Sequence, residues 1–393
     1  MKKSLIVLGA AAMVAAAAVP ALAFENEFHG MYRAYGFLTN NIYSGGGTFN
    51  LNKDGQTSSY VEQRARIQYI AKASDDLKLV THFELDALFG GKKDGKYGTL
   101  GDAGAIDADA ISIETKNVYL DFNVGSQVNA KVGIQPFNDA YQGTFGNIDG
   151  AGAVFTGKFG VVTPSLGWFR LANELGSNGA ATALNISRKT ADLTVLDVKA
   201  ALTKDVSVGG SYYVETRDTS NVAVTGPFAT SITTAPAAGS SGLASAAQLI
   251  HMLGLNAAAK VGPAAITGFA NYQFGEFNDK RDLAAYSLGA IAKVNVGVGN
   301  VNVSGLYLSG EKDVAATATG NYKGFQQMQT GGGVSYFNAS NMWLLVRNGA
   351  SINTSTAIGS NDMTKGGRGL LGLFAGFDGA AGKVFYATNV GYA

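Results

Sequence analysis

The sequence predicts an all-β chain: an antiparallel, up-and-down transmembrane β-barrel of the sixteen-stranded type, of which fifteen strands are legible. Three observations predict it. Long segments alternate apolar and polar residues with period two, so one strand face is apolar and the other charged. Short turns alternate with long polar loops along the chain, the asymmetry expected of a barrel with tight turns at one rim and loops at the other. Gly 53, Pro 6 and only 15% charged residues describe a strand-rich chain better than a helical enzyme.

The clearest segment is 58–88. Its first strand sets Val61, Ala65, Ile67, Tyr69 and Ala71 against Glu62, Arg64, Arg66 and Gln68. After the turn at 74–76, Leu77, Leu79, Phe83, Leu85 and Ala87 oppose Lys78, His82, Glu84 and Asp86, with Val80 the exception. Such strands exceed the usual ~5–6 residues and suit a tilted membrane crossing of ~9–11. A charged face is out of place in a dry core and fits a wet lumen.

The other strands follow in order. Residues 26–39 form the first. Beyond the hairpin and a loop at 89–109 come 110–123 and 128–135, joined at 125–127. Next are 151–159 and 165–172, whose faces are poorly defined because Trp168 and Arg170 share a parity. Residues 191–202 and 206–215 make the next pair, the latter with Tyr213 and Glu215 inward. A long Ser/Thr/Ala/Gly loop at 216–247 precedes 248–261, 264–274, 283–296 and 301–309. Residues 311–368 read mainly as loop, with a short strand possible at 342–346. The last hairpin is 369–377 and 383–392. Fifteen strands leave an even-numbered barrel one short, so a closing strand is expected beyond residue 393, or a further one within 311–368.

Residues 1–23 have the form of a secretory signal: Lys2 and Lys3, an apolar stretch at 5–19, and Ala21-Leu22-Ala23 as cleavage site. Residues 24–393 then form one barrel domain. No later apolar run reaches the ~18–20 residues of a membrane helix, and mean hydropathy of +0.08 is low for a helical bundle. A net charge of +1 gives no basis for nucleic-acid binding. With no Cys there is no disulfide, thiolate site or c-type haem attachment.

Candidate functional residues are those of the charged faces. Arg33, Glu62, Arg64, Arg66, Lys78, Glu84, Asp86, Asp121, Lys131, Gln135 and Glu215 are expected to line a pore. Opposite charges facing one another across it would set up a transverse field; local cross-strand ion pairs are the plainer reading. The loop 137–150 follows the fifth strand. Either it folds inward, with Asp139, Tyr141 and Asp149 at an aperture, or it stays at the rim. His29, His82 and His251 lack metal-ligand spacing, and Asp102, Asp107 and Asp109 fall short of an EF-hand pattern. No catalytic set, metal site or cofactor site is nominated, so an enzyme is not expected.

EQRARIQYIAKASDDLKLVTHFELD, KNVYLDFNV, VNAKVGIQPFNDAYQGTF, TGKFG and GWFRL together resemble Gram-negative outer-membrane porins, most of all those of delta-proteobacterial metal reducers. The resemblance implies a homotrimeric, sixteen-stranded channel in outer-membrane lipid, through which small hydrophilic solutes and ions diffuse. The alternative is a structural barrel around a partner such as an electron-transfer cytochrome.

Overall fold

The computed structural model describes residues 25–39, 58–89, 113–175, 186–217, 248–278, 281–312, 319–328, 337, 339 and 367–393. They form fifteen strands: β1 (Glu25–Thr39), β2 (Ser58–Ser74), β3 (Leu77–Leu88), β4 (Glu114–Val124), β5 (Val128–Asn138), β6 (Asn147–Gly157), β7 (Val162–Leu175), β8 (Ile186–Ala201), β9 (Val206–Arg217), β10 (Gln248–Val261), β11 (Ala264–Asn278), β12 (Arg281–Asn295), β13 (Asn300–Leu308), β14 (Leu370–Ala381) and β15 (Val384–Tyr392). Each pairs with its sequence neighbours in one sheet of order β1 to β15, and every pairing is antiparallel. No pairing between β1 and β15 is present among the described residues.

The two faces separate as their residues require. Leu120, Val132, Leu166, Leu196, Leu255, Leu288, Val303 and Leu373 are exposed on the outer face, Leu255 by 69%. On β11 and β12 the alternation is sharp. Ile266, Tyr272, Tyr286 and Leu288 point out, while Asn271, Gln273, Ala285 and Ser287 are buried on the inner face. Aromatic groups cluster outside. His251 stacks on Phe274 at 5.0 Å, and its Nδ1 lies 2.7 Å from the Tyr212 hydroxyl. Tyr286 meets Tyr307 at 5.5 Å.

The inner face is not uniformly wet. Phe169, Leu193, Tyr213, Ile250, Met252, Phe269, Leu283, Leu306 and Phe374 belong to one buried cluster drawn from β7 to β14. It is completed by Tyr141 and Phe145 from 139–146, by Tyr322, Phe325 and Met328 from 319–328, and by Phe337. The sheet therefore curls about its own connecting segments.

Several boundaries differ from the sequence expectation. The segment 137–150 shrinks to 139–146, because β5 and β6 stay paired out to Asn138 and Asn147. β7 begins at Val162, since Phe159 and Val162 bridge across a tight turn. β8 begins at Ile186, β11 runs on to Asn278 and β12 begins at Arg281. Residues 279–280 alone separate β11 from β12, so the alternation of short and long connections fails there. In β7, Trp168 and Arg170 both point outward. Arg170 can do so because its Nε donates to Asp192 at 2.6 Å and its guanidinium lies over the Trp168 ring. The possible strand at 342–346, Asp102, Asp107, Asp109 and residues 1–23 lie outside the described residues.

Candidate channel wall and the segments folded against it

The charged wall is built from β2, β3 and β4. Antiparallel register sets Arg64 opposite Asp86, Arg66 opposite Glu84 and Lys78 opposite Asp121. Arg64 donates from Nε to Asp86 Oδ1 at 2.5 Å, and its Nη2 reaches Asp86 and also Glu84 Oε1 at 3.2 Å. Arg66 pairs with Glu84. Lys78 lies 3.3 Å from Asp121, which also accepts from Asn129 at 2.7 Å. Lys131 sits over the Tyr119 ring. Arg33 is opposite Arg64 in the register. The side chain of Glu62 is outside the described set.

Of the two readings of these charges, the local cross-strand pairs are present in the structure. The partners sit on adjacent strands of one wall. Opposed cross-strand residues stand about 4.5–5.5 Å apart, close enough for ion pairs to form locally.

Two groups of this wall escaped the sequence reading. Lys72 pairs with Glu27 across β1 and β2. Lys116 pairs with Asp149, whose other oxygen accepts from Asn117 at 2.7 Å. Strict alternation would turn Lys116 away from Asn117. The β3–β4 register shifts between His82 and Phe83, so Lys116 is the extra residue of a bulge and reaches the same acceptor. Beside them His82 Nδ1 lies 3.3 Å from Asn117 Oδ1.

The connection 139–146 does fold inward, but its side chains do other work than expected. Asp139 does not face an aperture. Its Oδ1 accepts from the N–H groups of Tyr141 and Gly143, both at 2.8 Å, and its Oδ2 from Phe145 at 2.7 Å and Gly146 at 2.8 Å. Burial pushes this carboxyl above the usual range, and the four N–H donors oppose the shift. A short aspartate here closes the turn on itself and satisfies amides that would otherwise be buried unpaired. Tyr141 does not face an aperture either. It is 0% exposed, with its ring 6.0 Å from Tyr213 and 5.7 Å from Phe269, and burial raises its phenol. It fits because β10 carries Gly254 at that point: a Cβ there would lie 2.0 Å from the Tyr141 hydroxyl.

A second inward segment, 319–328, had no signal beyond being loop. Gln273 of β11 clamps it, donating to Gln326 O at 2.7 Å and accepting from Gln326 N at 2.8 Å. Arg281 donates to Glu311 at 2.8 Å and to Gly320 O at 3.1 Å. Tyr322 stacks on Phe277. The two segments then lock together. Met328 N donates to Phe145 O at 2.8 Å, and Gln327 Nε2 to Thr144 O at 3.3 Å.

Two expected pore residues are enclosed. Glu215 is 0% exposed and accepts from Arg217 at 2.6 Å; Arg217 also donates to Gln248 at 2.6 Å and to Gln327 O at 3.0 Å. Gln135 is 1% exposed and donates to Lys131 O and Gly152 O. Glu215 is covered because apolar inner-face residues draw the connecting segment that carries Gln327 onto the wall.

The sequence matches no protein-family profile and no curated protein. Among solved structures it is similar to Pseudomonas aeruginosa OpdQ, with 11% identity, a TM-score of 0.45, and 90% of this chain and 76% of that chain covered. It is similar also to Acinetobacter baumannii OccAB4 (10%, TM-score 0.42, covering 90% and 78%) and to Salmonella typhi OmpF in complex with daunomycin (9%, TM-score 0.43, covering 91% and 86%). At these values the residue roles rest on this chain's own geometry.

Proposed function

We propose that the chain is a porin-type outer-membrane channel through which small hydrophilic solutes and ions diffuse passively, without a cofactor and without chemistry. The observation that carries this is the division of one continuous meander into two faces. Its outer face exposes Ile67, Leu120, Leu166, Leu255, Leu288 and Leu373 with no protein over them. Its inner face carries the paired charges of β2 to β4. A soluble protein does not leave so wide an apolar surface bare, whereas strands satisfy their backbone groups in lipid by pairing. Export through a cleaved signal at 1–23, a Gram-negative host, assembly as a homotrimer and kinship with the porins of metal reducers complete the proposal, and the sequence resemblance supports them.

Planar-bilayer recording of the purified protein tests the reading. Stepwise, ohmic openings are expected; a folded protein that inserts into lipid and never conducts would refute it. The sheath alternative is not favoured. The inner face from β7 to β14 is filled by the chain's own segments, which leaves that side no bore for a folded partner.

A further inference from the structure

The paired charges and the infolded segments occupy different parts of the inner face. Where 139–146 and 319–328 lie against β9 to β13 the inward side chains are shut away from water: Glu215 is 0% and Ser287 0% exposed, and the side chains of Arg217 and Arg281 are each 5% exposed, whereas Lys293, nearer the β12–β13 turn, is 50% exposed beside Asp378. On β2 to β4 the cations Lys78 (39%), Arg66 (26%) and Lys116 (25%) keep some open surface, and Asp149 on β6 keeps 28%, while Arg64, Glu84, Asp86 and Asp121 keep 7–13% as side chains. An apolar cluster keeps water out, whereas ion pairs that keep one partly exposed member sit at its edge.

We infer that the water path is eccentric. It runs along the β2–β4 wall, and the plug of 139–146 and 319–328 closes the β9–β13 side. This rests on the channel reading and adds a site and a solute class to it. Arg66 with Glu84, Lys78 with Asp121, and Lys116 with Asp149 are the specificity-determining groups. Each pair is neutral as a unit, and its members are in contact. Beyond a Debye length of about 8 Å such pairs project little net potential. The wall therefore favours hydrophilic solutes without net charge, zwitterions included, and discriminates weakly between cations and anions.

The chain has no Cys, so single cysteines report access without background. Lys78→Cys and Arg66→Cys are compared with Ser287→Cys, a near-isosteric change on the plugged side. A charged methanethiosulfonate is applied to the open channel in a bilayer. Loss of part of the current is expected at positions 78 and 66, and none at 287, where labelling appears only after denaturation. In a salt gradient the wild-type reversal potential is expected near zero. Glu84→Gln, which frees Arg66, shifts it toward anions, and Lys78→Gln, which frees Asp121, shifts it toward cations. Modification at 287 as fast as at 78, insensitivity at 78 in a conducting channel, or a strongly selective wild type overturns the eccentric path while leaving the channel reading intact. Absence of any conductance removes the channel reading, and this inference with it.

Discussion

Gly254→Ala tests how tightly the inward segment is held. A Cβ at position 254 would lie 2.0 Å from the Tyr141 hydroxyl, 2.5 Å from its Cζ and 2.4 Å from Asn271 Oδ1. The Asn271 amide can turn aside, but the phenol is the end of a rigid ring. Overpacking of this kind costs about 1–3 kcal/mol. Undocking the ring would cost more. A buried aromatic removes roughly 150–250 Å² from water, worth about 4–6 kcal/mol at ~25 cal/mol per Å², an upper bound because unfolded chains are partly compact. Asp139 and Met328 hold the same segment by backbone bonds. The segment is therefore expected to stay docked under strain. Gly254→Ala lowers stability by about 1–3 kcal/mol with near-normal conductance. Tyr141→Ala lowers stability further, by about 3–5 kcal/mol, and raises conductance. The assay is denaturant unfolding in detergent followed by tryptophan fluorescence, with single-channel recording alongside. The double variant is decisive. Without the ring, Gly254→Ala meets little, so the two losses should fall short of additivity by about 1 kcal/mol or more. Strict additivity would refute the contact.

Three further outcomes are expected. Asp139→Ala strips four buried N–H groups of their acceptor at about 1–3 kcal/mol each, so 139–146 undocks and single-channel conductance and its noise both rise. Glu215→Ala leaves the Arg217 guanidinium buried without that partner and costs about 3–5 kcal/mol, read as a lower unfolding temperature in detergent. Gln273→Ala removes both bonds to Gln326 at about 0.5–1.5 kcal/mol each; hydrogen exchange of the Gln326 amide should quicken while that of the β10–β11 ladder stays unchanged.

The charged wall was legible because its information is local. Arg64, Arg66, Glu84 and Asp86 show their shared face through spacing alone, and a short turn fixes which residue opposes which. Lys116 was not legible, because a bulge between β3 and β4 breaks the parity on which the reading depends. Glu215 was legible as inward yet not as covered. Alternation reports the side of the sheet, not what lies above it.

The sequence by itself determined the strand plan: fifteen amphipathic strands in an antiparallel meander, their apolar faces outward and their polar faces inward. Period-two alternation and pairing between chain neighbours need only short-range information. Tertiary structure alone decided that 139–146 and 319–328 meet inside the sheet. The bond from Met328 to Phe145 joins residues 183 positions apart in the chain's order. It exists because Phe169, Tyr213, Ile250, Phe269 and Leu306, on five separate strands, present one apolar surface only once the sheet has curled.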